Sequence, residues 1–304
     1  MRPLTLSISA VERDTGLSKD TLRVWERRYG FPVPERDGVG ERAYPLDQVE
    51  KLRIVKRLMD GGHRPGRVVP MTVEDLQQLS AHTADAQRGA LVESAPDLRA
   101  LMELLRANQI DGLRRHLQQL SVSLGLRRFV CEVITPFNTL VGDFWMRGQL
   151  EIHEEHAYSE VLQIVLRGAI ASLPLGTALD RPRVLLSTFP NEPHALGLLM
   201  AEALFALEGG KCLSLGAQTP IWNLALAAAS YKSDIVALGF TGCMNPNQVV
   251  EGLLELRSKL PAEVEIWVGG AAPVLQRRPV DGVIVLNALP EITAQIQRWR
   301  HGSA

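Results

Sequence analysis

Cysteine is scarce. The chain of 304 residues has three, Cys131, Cys212 and Cys243, odd in number, widely spaced and in no metal-ligand pattern. A disulfide framework is therefore excluded, and a reduced, cytoplasmic protein is expected. Long apolar runs are missing as well: none reaches the roughly 18–20 residues a bilayer span needs. The start, Met1-Arg2-Pro3-Leu4, lacks a signal-peptide core, so no membrane partner is expected. Neither sign of charge dominates, with 33 Lys and Arg against 34 Asp and Glu and a net charge of −1. What remains is ordinary for a globular protein, 46% hydrophobic and 22% charged, which excludes a mainly disordered or collagen-like chain. The length leads us to expect two or three domains.

The neutral total is a cancellation. Residues 1–70 hold 14 Lys and Arg against 10 Asp and Glu, and residues 71–304 hold 19 against 24. A basic head on an acidic body points to nucleic acid at the N-terminus. There, Ser7 can cap a short helix, Ile8–Thr15, Gly16 turns the chain, and Ser18 caps a second helix with Leu22 and Trp25 on one side. Two short helices so joined read as a helix-turn-helix. The second carries Arg23, Arg27 and Arg28, suited to a major groove, although charge alone fits a solvated helix face equally well.

The following stretch decides between them. Phe31-Pro32-Val33-Pro34 cannot be helical, and Arg36 to Tyr44 is a Gly-rich turn between extended arms, the pattern of a wing. Leu46, Val49, Leu52, Val55 and Leu58 then restore helical periodicity. Residues Leu22 to Pro32, with Arg42 and Tyr44, resemble the recognition helix and wing of the MerR family. The resemblance implies contact with a double-stranded DNA operator through Ser18, Thr21, Arg23, Trp25, Arg27, Arg28, Tyr29, Arg36, Arg42 and Tyr44. Where that family's wing often reads Gly-Gly-His-Arg, this one reads Val39-Gly40-Glu41-Arg42, and the carboxylate opposes phosphate.

Beyond a helix at Val73–Leu79 and a connection, leucines 98, 101, 104 and 105, and then 113, 117, 120 and 124, form apolar helical stripes, continued by 129–140 and 157–171. A bundle of about four helices follows. Inside it, Trp145 to His156 is unusual. On one helix Trp145 and Glu155 would lie about 80° apart, and Gly148 marks a break that brings the two ends together across a bend. Taken alone, a core Trp and an exposed acidic helix start account for the cluster, and His153 and His156 without a third ligand make no zinc site.

From residue 183 strands and helices alternate, giving a doubly wound parallel α/β domain with strands at 183–188, 211–215, 234–238, 263–268 and 282–286. Ligands of such sheets bind beyond the strands' carboxyl ends, here the loops 189–194, 239–246 and 269–273. The first loop holds Glu192 and His194, with Gly197 following. A carboxylate two residues before a histidine orients the imidazole as it does at metal sites. Gly239, Thr241, Gly269 and Gly270 leave the other loop mouths without bulky side chains.

This part resembles the cobalamin-binding fold of corrinoid proteins. Glu192, His194, Gly197 and Gly269-Gly270 match its motif, while Gly239-Phe240-Thr241 stands where a serine usually leads. The order of modules is similar to the CarH/LitR-type light-sensing repressors, in which Trp, nine residues and Glu-His recur, as Trp145 and Glu155-His156 do here. The resemblance implies a multidomain α plus α/β chain: a winged helix-turn-helix over 1–80, a linker at 81–91, a four-helix bundle over 92–176 and a Rossmann-like cobalamin domain over 177–304. It implies adenosylcobalamin with His194 as the lower cobalt ligand, Trp145 capping the adenosyl group and Glu155 bonding it. It also implies a homo-oligomer, dimer or tetramer, that binds its operator in the dark and releases it on photolysis. Met146 replaces a histidine that takes the upper cobalt position in well-known members, and a thioether is a weaker ligand for cobalt(III). Two alternatives are a MerR-family regulator of another ligand or pigment and the corrinoid carrier of a methyltransferase. Nothing implies turnover, so no enzyme is expected.

Overall fold

The computed structural model describes residues 5–38, 40–60, 62–79, 96–146, 148–173, 181–242 and 244–302. The expected linker at 81–91, Val39 of the wing and Cys243 lie outside the described residues, as does the side chain of Met146. The chain forms two compact units, Met1–Ser94 with Leu140–Ile152, and Ala95–Thr139 with His153–Ala304.

In the first unit, β1 (Thr5–Ser7) leads into α1 (Ile8–Thr15), and α2 (Lys19–Tyr29) follows a tight turn. Both helix starts are capped as the sequence leads us to expect: Ser7 Oγ accepts from Ala10 N–H and Ser18 Oγ from Thr21 N–H. Strands β2 (Glu35–Arg36) and β3 (Arg42–Pro45) form the wing, and β1 adds to it in an antiparallel sheet of order β1-β3-β2. Helices α3 (Leu46–Asp60), α4 (Pro65–Val68) and α5 (73–79) complete the head. Val11, Leu22, Trp25, Tyr44, Val49, Leu52, Val55 and Leu58 fill its core. A bidentate pair from Arg53 to Asp14, 2.8 Å for each bond, fastens α3 to α1.

The second unit opens with α6 (Pro96–Arg106), α7 (Ile110–Leu124) and α8 (Leu126–Arg128). A π-helical turn over Phe129–Ile134 runs into α9 (Thr135–Met146), and α10 (Ile152–Ala171) follows. The last part of α9 counts with the first unit. Five parallel strands come next, β4 (Arg183–Ser187), β5 (Lys211–Ser214), β6 (Ile235–Phe240), β7 (Glu265–Gly270) and β8 (Val283–Leu286). Between them run α11 (Leu196–Leu207), α12 (Ile221–Tyr231), α13 (Pro246–Lys259) and α14 (Val274–Arg277), and α15 (Glu291–Gly302) ends the chain. β4 and β6 are buried along most of their length, as expected of strands covered on both faces. Sheet order is β5-β4-β6-β7-β8, so the direction of winding reverses between β4 and β6. That is the crevice where such folds bind ligands.

Helices of the same unit pack on this sheet. Phe137 of α9 meets Tyr158 of α10 edge-on at 5.1 Å, and Asn138 accepts from the Tyr158 hydroxyl and donates to Met200 Sδ of α11 at 3.1 Å. Arg127 of α8 bonds both Glu208 and Thr293. Among the described residues no helix is long and apolar enough to cross a membrane.

Candidate functional site

The crevice holds a network centred on one carboxylate. Glu192, in the loop after β4, is 0% exposed. Its Oε1 accepts from His194 Nδ1 at 2.7 Å and from the His194 backbone N–H at 3.1 Å. Its Oε2 accepts from Thr241 N–H and from the Thr241 hydroxyl, both at 2.7 Å. Burial pushes the Glu192 carboxyl up, but the bonds from His194 and Thr241 outweigh it and hold the group below the usual carboxylate range. The backbone is fixed in turn: Thr188 Oγ1 donates to Glu192 O at 2.5 Å and accepts from Gln218 N–H at 2.8 Å. Next to it the Ser187 hydroxyl bonds Thr219 Oγ1 at 2.8 Å and Gly216 O at 2.9 Å.

The His194 side chain, by contrast, is 52% exposed. A buried carboxylate on Nδ1 fixes tautomer and ring orientation and directs ligation to Nε2. Among the described residues no three His, Cys, Asp or Glu side chains converge on a metal position. A metal held here through an imidazole therefore fits a cofactor that brings its own ligands, and the pair suits the lower face of a corrinoid.

The glycines divide by role. A Cβ on Gly197 would meet nothing within 4 Å, which leaves the start of α11 open. At Gly239 a Cβ would stand 3.1 Å from Leu198 Cγ, so Leu198 fills the space where the corrinoid motif has a serine side chain. Gly269 pairs with Gly239 across β6 and β7, and Gly270 with Phe240. Gly270 has φ +113°, and a Cβ there would lie 2.1 Å from Phe240 O, so it seals the strand pair. Thr241 is spent on Glu192, a tie that spans 49 positions and has no local signal in the sequence.

On α10, Glu155 accepts from Ser159 Oγ at 2.8 Å, and His156 Nε2 lies 3.7 Å from Glu155 Oε2. In the first unit α9 ends as the break at Gly148 predicts. Gly148 N–H donates to Trp145 O at 3.0 Å and Gln149 N–H to Phe144 O at 2.8 Å. Trp145 is half-buried and lies under the Arg57 guanidinium, 5.8 Å from its ring centre.

In the head, Arg23, Arg27, Arg28 and Arg36 are exposed. Arg28 lies 5.4 Å over the Tyr29 ring, and Arg36 Nη1 donates to Gly40 O at 2.8 Å, closing the wing turn. Ser18 and Thr21 hydroxyls bond each other at 2.8 Å at the start of α2. Three expected DNA contacts need correction. Trp25 is 4% exposed and Tyr44 0% exposed; both belong to the head's core, because their rings close the space between α2, α3 and the wing. Arg42 is turned inward, with Nε 3.0 Å from Glu26 Oε1 and Nη2 3.1 Å from Oε2, while the Tyr44 hydroxyl donates to Glu26 Oε1 at 3.0 Å. Burial and the bond to Glu26 push the Tyr44 hydroxyl far above the usual phenol range. Glu26, missed in the sequence, organises the junction of recognition helix and wing.

Comparison with known proteins agrees with this geometry. Residues 6–70 match the MerR HTH family of regulatory proteins. The chain is 30% identical over 276 residues to the HTH-type transcriptional repressor CarH of Myxococcus xanthus, covering 90% of this chain and 91% of CarH. It is 29% identical over 276 residues to the repressor CarA of the same organism, covering 88% and 87%. The monomethylamine corrinoid protein of Methanosarcina barkeri superposes over 66% of this chain and 96% of its own, with TM-score 0.51 and 13% identity, a likeness of fold. Head and sheet together thus define a DNA-binding transcriptional regulator, and not an enzyme. The chain belongs to the family of HTH-type transcriptional repressors that includes CarH.

Proposed function

We propose that this repressor senses light through adenosylcobalamin and binds double-stranded operator DNA as a homo-oligomer in the dark. The observation that carries the proposal is the Glu192–His194 pair at the sheet's switch point, a buried carboxylate presenting a half-exposed imidazole. His194 is the lower cobalt ligand in this scheme, Glu192 and Thr241 hold it, and Gly197, Gly239, Gly269 and Gly270 keep the strand ends low for a broad flat ligand. From the family pattern, Trp145 and Glu155 take the adenosyl side, with Met146 and His156 beside them. When bound, the cofactor supplies a photolabile cobalt–carbon bond and with it the response to visible light. The head, residues 1–80, meets DNA through Ser18, Thr21, Arg23, Arg27, Arg28, Tyr29 and Arg36, followed by a linker at 81–91, a bundle over 92–176 and the cofactor domain over 177–304. Linking several weak heads in one oligomer raises operator affinity, and dissociation removes that gain.

The test is direct. Protein purified in the dark is mixed with adenosylcobalamin, passed through gel filtration, and assayed by absorption and by operator gel shift before and after illumination. A retained corrinoid spectrum and a light-dependent loss of DNA affinity are expected; a corrinoid-free protein peak overturns the proposal. One observation favours a different occupant: Leu198 fills the space beside Gly239, so a tetrapyrrole without a nucleotide tail is the second ligand to try.

A further inference from the structure

Arg57 lies in the last turn of α3 and is only 8% exposed. Its guanidinium carbon stands 5.8 Å from the centre of the Trp145 ring, within cation–π range. The same group fills the turn behind that tryptophan. A Cβ on Gly148 would stand 2.7 Å from Arg57 Nη1, and the Gly148 φ of +67° itself calls for glycine. The turn is the C-terminus of α9, where the helix dipole favours a cation, and Glu151 adds attraction. Three things oppose the contact. Burial disfavours the charged guanidinium, Arg53 repels it, and Arg57 Nε has no hydrogen-bond partner among the described residues. A buried cation with one N–H unpaired is held less firmly than its burial suggests, and a change at Trp145 can release it.

We infer that Arg57 couples the DNA-binding head to the sensor through Trp145: the guanidinium and the group on the upper face of the cofactor draw on the same indole, so each weakens the other's hold. The inference rests on the assignment of Trp145 to that face under the proposed function. It makes Arg57 a positioning residue, built into the head, that sets how strongly an adenosyl group is favoured over a small upper ligand. Coupling of this kind is reciprocal.

The experiment is a dark equilibrium titration of the full chain with adenosylcobalamin and, separately, with hydroxocobalamin, which lacks the adenosyl group. Arg57→Met keeps the length and apolar stem. It should tighten adenosylcobalamin about five- to twentyfold, within the usual range of coupling between sites, and leave hydroxocobalamin unchanged. In a Trp145→Phe background the gain should largely vanish. Thermal melts check that each variant folds; should Arg57→Met fail, Arg57→Lys, which loses the planar fork, should shift affinity in the same direction by less. Unchanged or weaker adenosylcobalamin binding, or an equal gain for hydroxocobalamin, overturns the inference. Wild-type protein that binds neither corrinoid would instead strike the proposed function, and the inference with it.

Discussion

Two carboxylates organise the two ends of this molecule, to opposite effect. Glu192 is fully buried, receives four hydrogen bonds and presents a half-exposed histidine to the crevice. Glu26 lies at the junction of recognition helix and wing and draws Arg42 and Tyr44 inward. One carboxylate offers a ligand, and the other withdraws two residues that otherwise resemble DNA contacts. The same chemistry, a charge saturated by donors, sets a metal-binding geometry in one place and a domain shape in the other. Which outcome follows depends on the partner's exposure.

Removing the carboxylates should separate these roles. The largest effect belongs to Glu192→Ala, which strands buried donors on Thr188, His194 and Thr241; the cost should be about 3–5 kcal/mol, as for other broken buried pairs, read by urea unfolding, with loss of corrinoid retention. Glu192 also gives a pH signature. Its carboxyl is held below its ordinary value of 4.5, so its contribution is full above that pH and is lost as pH falls through the lower folded value. The stability gap between wild type and Glu192→Gln should therefore be wide at neutral pH and narrow in acid; a gap that widens in acid would contradict the saturated-carboxylate picture.

His194→Ala should cost little stability, because the side chain is half-exposed, yet change the visible spectrum of bound corrinoid. An unchanged spectrum would move the ligand elsewhere. In the head, Glu26→Ala should cost about 1–3 kcal/mol, since it leaves the Tyr44 hydroxyl buried and unpaired, as measured by thermal unfolding of the full chain. Smallest is the contrast between two arginines. Arg23→Ala should weaken operator binding and lower the slope of log affinity against log salt by about one. Arg42→Ala, already committed to Glu26, should leave that slope nearly unchanged; equal slopes would return Arg42 to the DNA surface.

What the sequence made legible was local. Serine caps at Ser7 and Ser18, the glycine after each short helix, and the switch from helical stripes to strand–helix alternation all act within a few residues, and each appears where expected. The motif at Glu192, His194 and Gly197 was readable for the same reason, because its carboxylate reaches a histidine only two positions away. Contacts across the fold were not legible. Thr241 reaches Glu192 over 49 positions and Arg42 reaches Glu26 over 16, and no periodicity encodes either. Trp25 and Tyr44 were misassigned because an aromatic residue beside arginines reads as a groove contact until burial shows which way its ring faces. The three-residue β1 was too short for alternation to reveal it.

The π-helical turn before α9 fixes something that no single contact does. Val130 O receives both the backbone N–H and the hydroxyl of Thr135, at 2.9 Å for the hydroxyl, which locks one surplus residue into the screw of the helix. Each residue advances an α-helix by about 100°. Deleting any one residue between Phe129 and Ile134 would let the turn relax to ordinary α pitch and rotate α9 by that angle, carrying Phe137 away from Tyr158. The aim of α9 is thus stored as a phase, set by the number of residues rather than by their identity, and length variation there would retune the helix while leaving every side chain's chemistry intact.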